Sequence, residues 1–211
     1  MSTLRAEAAR KALHLLSAAV PLAWALLLVP ATIIRVGLGV ALGVALLVEG
    51  LRRASPAFAA RFLAWLGPLL RTHETHHITG ATWLAAVMCL AVWVFPRSAA
   101  IIALWAAAVG DAMAALVGRL ASSARSRPVA ALPVDVHVAV AIPPARKTLA
   151  GSAACVASTA AGAAWLVHAP LPAALGIGVA AAVAEWPRLA VDDNLRVGLA
   201  AGAAAWMLLA A

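Results

Sequence analysis

Apolar residues along this chain gather into seven runs, at roughly 13–29, 31–50, 79–95, 98–118, 149–168, 171–186 and 195–211. Most approach the length a helix needs to cross a hydrocarbon layer, and polar residues collect between them. The pattern predicts an all-α polytopic membrane bundle with about seven transmembrane helices, forming a single domain over 1–211. Between the second and third runs, "SPAFAARFLAWLGPLLR" sets Phe58, Phe62, Trp65, Leu66 and Leu69 on one helical face and Arg61, Ala64, Pro68 and Arg71 on the other. That spacing predicts a short helix lying in the headgroup plane. The first run is expected to be a retained span rather than a cleaved signal: it is long, no A-x-A site closes it, and a second run follows at once.

Composition agrees with the pattern. The 211 residues are 65% hydrophobic and only 11% charged, with a mean hydropathy of +0.98. A soluble domain of this size could not hide so much apolar surface. Cys89 and Cys155 lie inside apolar runs with no CxxC spacing, which gives neither a disulfide framework nor a zinc knuckle.

The net charge of +8 is not a nucleic-acid signal once its distribution is read. The connections "VPAT", "FPRS" and "HAPLP" are short and nearly free of charge. Of the 16 lysines and arginines, all but Arg35 and Arg97 fall on the other side, in the N-terminal tail and in the loops near 51–78, 119–148 and 187–194. By the positive-inside rule the N-terminus and these loops are cytoplasmic, and the expected location is a prokaryotic inner (plasma) membrane. The eight acidic residues, Glu7, Glu49, Glu74, Asp111, Asp135, Glu185, Asp192 and Asp193, fall on that same side. Topology does not require that of carboxylates, so a site on that face is expected.

Several residues there carry chemistry. Arg10, Lys11 and His14 share a face at the entry to the first run. Glu49 closes the second run beside Arg52 and Arg53, where a local salt bridge is the simple expectation. Asp111 lies about 10 Å inside its helix end at 1.5 Å per residue. A carboxylate at the bilayer centre costs about 2.5–3.5 kcal/mol or more, so Asp111 needs a cation or a water-filled cavity. Gly110, Ala114, Ala115 and Gly118 leave its helix smooth for a close neighbour. "RKTLAGS" puts Arg146, Lys147 and Thr148 at a helix N-terminus, with Gly151 and Ser152 following, a place suited to phosphate. Asp192, Asp193 and Asn194 open the last run. One of them can cap the helix, and the other groups exceed what a cap requires. With Asp111 and Glu185 they make an oxygen-rich set of the kind Mg²⁺ takes alongside phosphate oxygens. "VDVHVAV" alternates with period two and could form a strand, with Asp135 and His137 as weak candidates.

"RTHETHHITG" contains H-E-x-x-H, which in a metalloprotease supplies two zinc ligands and a base. Here His73, Glu74 and His77 sit in a connector rather than within a span. Proteolysis is therefore the minor reading, and these histidines, with His76, are expected as interfacial polar residues.

Taken in order, "RKALHLLS", "TGATW", "GDAMAALVGR", "KTLAGS" and "EWPRLAVDDN" resemble the polyprenol, dolichol and phytol kinases and the related CTP-dependent diacylglycerol kinases. The resemblance covers nearly the whole chain. The chain departs from it in "RLASSARSRP", in a longer proline-rich insertion, and in Ala150, where many members have glutamate. The resemblance implies a membrane-embedded kinase domain that phosphorylates a lipid alcohol (a polyprenol, phytol or geranylgeraniol, or diacylglycerol) with CTP and a divalent ion such as Mg²⁺. It implies a metal set of Asp111, Asp192 and Asp193. Phosphate contacts would come from Lys147, Thr148, Gly151, Ser152, Gly110, Arg119 and Asn194, and the base would be Asp193 or Glu185. Lys11, His14, Glu49 and Glu74 would lie toward the lipid. A lipid-phosphate cytidylyltransferase and a non-enzymatic carrier are the alternatives. Oligomeric state is not legible.

Overall fold

The computed structural model describes residues 3–70, 72–75, 77–125, 147–187 and 191–210. The stretch at 134–140, with Asp135 and His137, lies outside them, as do Arg71, His76 and Arg146. Among the described residues all regular structure is helical. In chain order the helices are α1 (Thr3–Leu16), α2 (Ala19–Leu26), α3 (Ala31–Ala54), α4 (Pro56–Leu66) and α5 (Gly80–Val94). They continue with α6 (Arg97–Trp105), α7 (Asp111–Arg125), α8 (Leu149–Leu166), α9 (Leu171–Glu185) and α10 (Asp193–Leu209). Single 3₁₀ turns cover Gly67–Leu69 and Thr72–Thr75, and a π turn at Ala106–Gly110 joins α6 to α7.

The helix starts follow the chemistry of the connections. At one end of the bundle α3, α6 and α9 begin after Pro30, Pro96 and Pro170, which have no N–H to continue a preceding helix. The starts of α4, α5, α8 and α10 are capped by side chains. Ser55 accepts from Phe58 N, Thr79 from Thr82 N, Thr148 from Gly151 N and Asp192 from Asn194 N.

Every predicted apolar run is helical, but among the described residues three helices have the length and hydropathy to cross a membrane: Ala31–Ala54, Arg97–Ser122 and Leu149–Leu166. The expectation of about seven crossings is met to that extent. α5 and α9 are apolar but have 15 residues each, about 22 Å at 1.5 Å per residue. The first run is broken at Ser17–Ala18, since Pro21 lacks the donor that would bond the Ser17 carbonyl, and Ser17 Oγ turns back to the His14 carbonyl. Three such helices make this a chain built for association with a membrane.

The rod formed by α6, the π turn and α7 is the centre of the bundle. Ala99 through Leu104 and Ala106 through Ala108 are fully buried. α10 packs on α6, α9 and α5, and α8 packs on α9 and α7. α3 touches mainly α5, and Ile33, Val36, Val40, Val44 and Leu47 face outward along it, as suits a helix against acyl chains. The short helix expected between the second and third runs is present as α4. Its Phe62 and Leu66 turn inward on a cavity, while Trp65, at the rim of the same face beside Arg61, is 85% exposed.

Small residues set the inter-helix distances. A Cβ on Gly178 of α9 would lie 2.6 Å from the Val156 carbonyl oxygen of α8. Gly178→Ala is therefore expected to cost about 1–3 kcal/mol, read as a lower Tm in detergent. Gly43→Ala on α3, where nothing lies within 4 Å, is expected to cost nothing.

Candidate functional site

Five separate segments bring their polar residues to one place. Lys11, on α1, reaches across to the start of α7, where its Nζ lies 2.5 Å from Asp111 Oδ2. Both residues are buried. The depth of Asp111 demanded a cation, and Lys11 is one. One turn further on α1, His14 Nε2 meets Asn194 Oδ1 of α10 at 3.2 Å. Asn194 is itself oriented by Asp192 Oδ1, which accepts from its backbone N at 2.9 Å and from its Nδ2 at 2.7 Å. Asp192 is thus the N-cap expected within the Asp192–Asn194 triplet.

Lys147 precedes α8 and ties the ends of two other helices together. Its Nζ lies 3.3 Å from Glu185 Oε1 and 3.0 Å from Asp193 Oδ2, and it also donates to the Glu185 carbonyl. Asp193 is held from its other side by Arg196 Nη2. Arg196 further donates to the carbonyls of Ala184 and Pro187, which fastens the turn between α9 and α10. The two halves meet at the start of α10, where Asn194 faces His14 and the adjacent Asp193 faces Lys147.

The three carboxylates expected to hold Mg²⁺ are engaged by other side chains in this structure. Asp111 is paired with Lys11, Asp193 with Lys147 and Arg196, and Asp192 with Asn194. Among the described residues no three His, Cys, Asp or Glu side chains converge as an ion site. As they stand, Asp111 and Asp193 are the anionic halves of ion pairs and Asp192 is a helix cap.

Several predicted phosphate contacts serve the packing of helices. A Cβ on Gly151 would lie 2.7 Å from the Ala114 carbonyl oxygen and 3.3 Å from Gly118 Cα. The smooth face of α7 therefore receives the first turn of α8. Gly110 makes room for Thr159 in the same way, its Cβ position being 2.7 Å from Thr159 Oγ1. Thr148 Oγ1 caps α8, and Ser152 Oγ accepts from Trp186 Nε1 at 3.0 Å. Arg119 is half-buried on α7, about 12 Å along the axis from Asp111 at 1.5 Å per residue.

A second polar group lies beside the first. Glu49 Oε1 accepts from Thr79 N at 2.8 Å and from Thr82 Oγ1 at 3.2 Å, and its Oε2 accepts from Arg52 Nη1 at 2.9 Å. The local salt bridge is present, and Glu49 fixes the start of α5. Arg52 also donates to the carbonyls of Glu74 and Thr75 and stacks over Phe62 at 4.5 Å. Of the H-E-x-x-H residues, Glu74 is buried with Oε1 accepting from Gly80 N at 3.2 Å, while His77 is exposed. Glu74 and His77 thus face different surroundings, and the side chain of His73 lies outside those described.

Between these groups lies an apolar cavity of about 250 Å³. Its walls include Leu13, Val48, Phe62, Leu66 and Leu69, drawn from α1, α3, α4 and the turn after it. Its polar boundary is Arg10, His14, Glu74, Thr79 and Thr82. His14 therefore belongs to the cavity wall and to the charged cluster at once. This cavity is not legible in the residue pattern, because its walls come from elements distant in the chain. Arg196 was also missed, although its i+3 spacing from Asp193 was a usable signal.

No protein-family model matches the chain, and no curated protein or solved structure matches it.

Proposed function

We propose that this protein is a CTP-dependent kinase of a membrane lipid alcohol. The observation that carries the reading is the position of His14, in the wall of an apolar cavity and 3.2 Å from Asn194 in the charged cluster. A hydrocarbon chain in that cavity brings its terminal hydroxyl to the border of the cluster. The choice of CTP follows the resemblance in "GDAMAALVGR", "KTLAGS" and "EWPRLAVDDN".

In the reaction the alcohol oxygen bonds to the γ-phosphorus and the bond to the β-phosphate oxygen breaks. The products are a lipid monophosphate and CDP. The charge on the transferring group spreads over its three equatorial oxygens, and positioning plus charge stabilisation supply most of the catalysis. Lys147 is suited to this as a point charge on a flexible stem, exchanging Glu185 and Asp193 for phosphate oxygens. The alcohol proton passes to a group at the cavity. His14 and Glu74 border it, and Glu185 and Asp193, released as Lys147 takes up phosphate oxygens, are the other carboxylates of the site, so the base is one of these four.

In this reading the seven helical segments are all membrane-embedded, with the N-terminus and the charged cluster on the cytoplasmic side of a prokaryotic inner membrane. The partners are CTP, the lipid alcohol and the bilayer.

The deciding assay offers labelled CTP and ATP with a panel of lipid alcohols to purified protein. Lipid monophosphate and CDP are expected. Pyrophosphate with a CDP-lipid would assign a cytidylyltransferase instead, and no turnover of any alcohol would remove the kinase reading. Ala45→Phe, which fills the cavity from α3, is expected to raise KM for the lipid and leave that for CTP unchanged.

A further inference from the structure

A second cavity of about 250 Å³ lies beside the apolar one, between the end of α3, α4 and the turn before α5. Its wall includes Glu49, Arg52, Arg53, Leu63, Thr75 and His77. Arg52 separates the two cavities, since its guanidinium stacks on Phe62, a wall residue of the first. Arg52 is occupied by Glu49 and by the Glu74 and Thr75 carbonyls, and the oxygens of Glu49 are occupied by Arg52, Thr79 and Thr82. Arg53 and His77 remain. Both are exposed, and neither makes a hydrogen bond or ion pair among the described residues. Leu63, 37% exposed, supplies an apolar edge on the same rim, and α4 continues outward to Trp65.

From this geometry we infer a binding site for the phosphate headgroup of an anionic bilayer phospholipid, separate from the proposed alcohol site. Arg53 pairs with a phosphate oxygen and His77 donates a second hydrogen bond, while Leu63 packs against the glycerol and upper chain. The fixed pair of Glu49 and Arg52 forms a neutral floor. Basic pockets at helix ends on a membrane surface favour such headgroups. The site would anchor α4, the outer wall of the alcohol cavity, against the bilayer. The inference does not depend on the proposed reaction.

The test is retention of lipid by the full-length protein, purified in detergent and mixed with phosphatidylglycerol or phosphatidylcholine, with adducts counted by native mass spectrometry. Preferential retention of phosphatidylglycerol is expected. Arg53→Ala is expected to weaken it about fivefold, the effect of one basic residue at a membrane surface. Adding His77→Ala is expected to weaken it further. Arg61→Ala, an exposed arginine of α4 outside the cavity, is expected to leave retention unchanged. Equal losses from Arg61→Ala and Arg53→Ala would show general charge attraction and overturn the site. Displacement of the lipid by an equal concentration of inorganic phosphate would overturn the lipid as occupant.

Discussion

Lys147→Ala is expected to lower lipid-phosphate formation from CTP by about 10²–10³-fold, the usual cost of removing one charge-stabilising donor from a transition state. The fold should survive. Lys147 is partly exposed, and Asp193 keeps Arg196 as a second partner, so the structural loss is that of a surface ion pair, about 1 kcal/mol or less. The measurement is kcat with saturating alcohol, alongside the Tm of the same preparation. A fall in turnover with an unchanged Tm assigns Lys147 to the phosphate. Turnover near that of the parent protein would take Lys147 out of the reaction and leave it as a tie between α9 and α10. Lys147→Arg keeps the charge and is expected to recover part of the loss, since a planar fork does not reproduce an ammonium among crowded oxygens.

The second large effect is on stability. Lys11 and Asp111 are buried against one another, with their side chains 4% and 9% exposed. Removing either partner strands a charge in a medium that solvates it poorly. Lys11→Met and Asp111→Asn are each expected to destabilise by about 3–5 kcal/mol. Replacing both removes the stranded charge, so the double variant should be far more stable than the sum of the single losses predicts. Denaturant unfolding in detergent micelles checks this as a double-mutant cycle. Additive losses would show that the two side chains do not depend on one another. The cycle also bears on function. Asp111→Asn alone confounds lost activity with lost fold, whereas activity of the double variant reports on the site itself.

The sequence was informative where a single segment decides the outcome. Hydropathy placed every helix-bearing run, because burial of apolar side chains is local in composition. The starts of α5, α8 and α10 were legible from Thr79, Thr148 and Asp192, whose short polar side chains satisfy the first free N–H groups. The burial cost of Asp111 predicted a nearby cation without naming it. Lys11 was the missing partner because a hundred residues separate the two, and only the packing of α1 against α7 joins them. Length was less legible. Hydropathy does not register the break at Ser17–Ala18, which comes from a missing donor at Pro21. The cationic partners of the carboxylates were not legible for a related reason. Carboxylates gathered at one end of a bundle look like ligands until the basic residues of other helices are placed among them. Lys11, Lys147 and Arg196 occupy the oxygens that a composition argument leaves available.

The π turn at Ala106–Gly110 carries one consequence for the whole arrangement. A wider turn inserts an extra residue into the central rod, which shifts the phase of everything after it by roughly 100° relative to an uninterrupted α-helix. The half of the rod before it is committed to apolar neighbours, and the half after it presents Asp111 to α1. Winding the same residues as regular α-helix would leave composition and hydropathy unchanged, yet would swing the carboxylate away from Lys11. The alignment of core and charged cluster thus hangs on one surplus residue in the most deeply buried stretch of the chain.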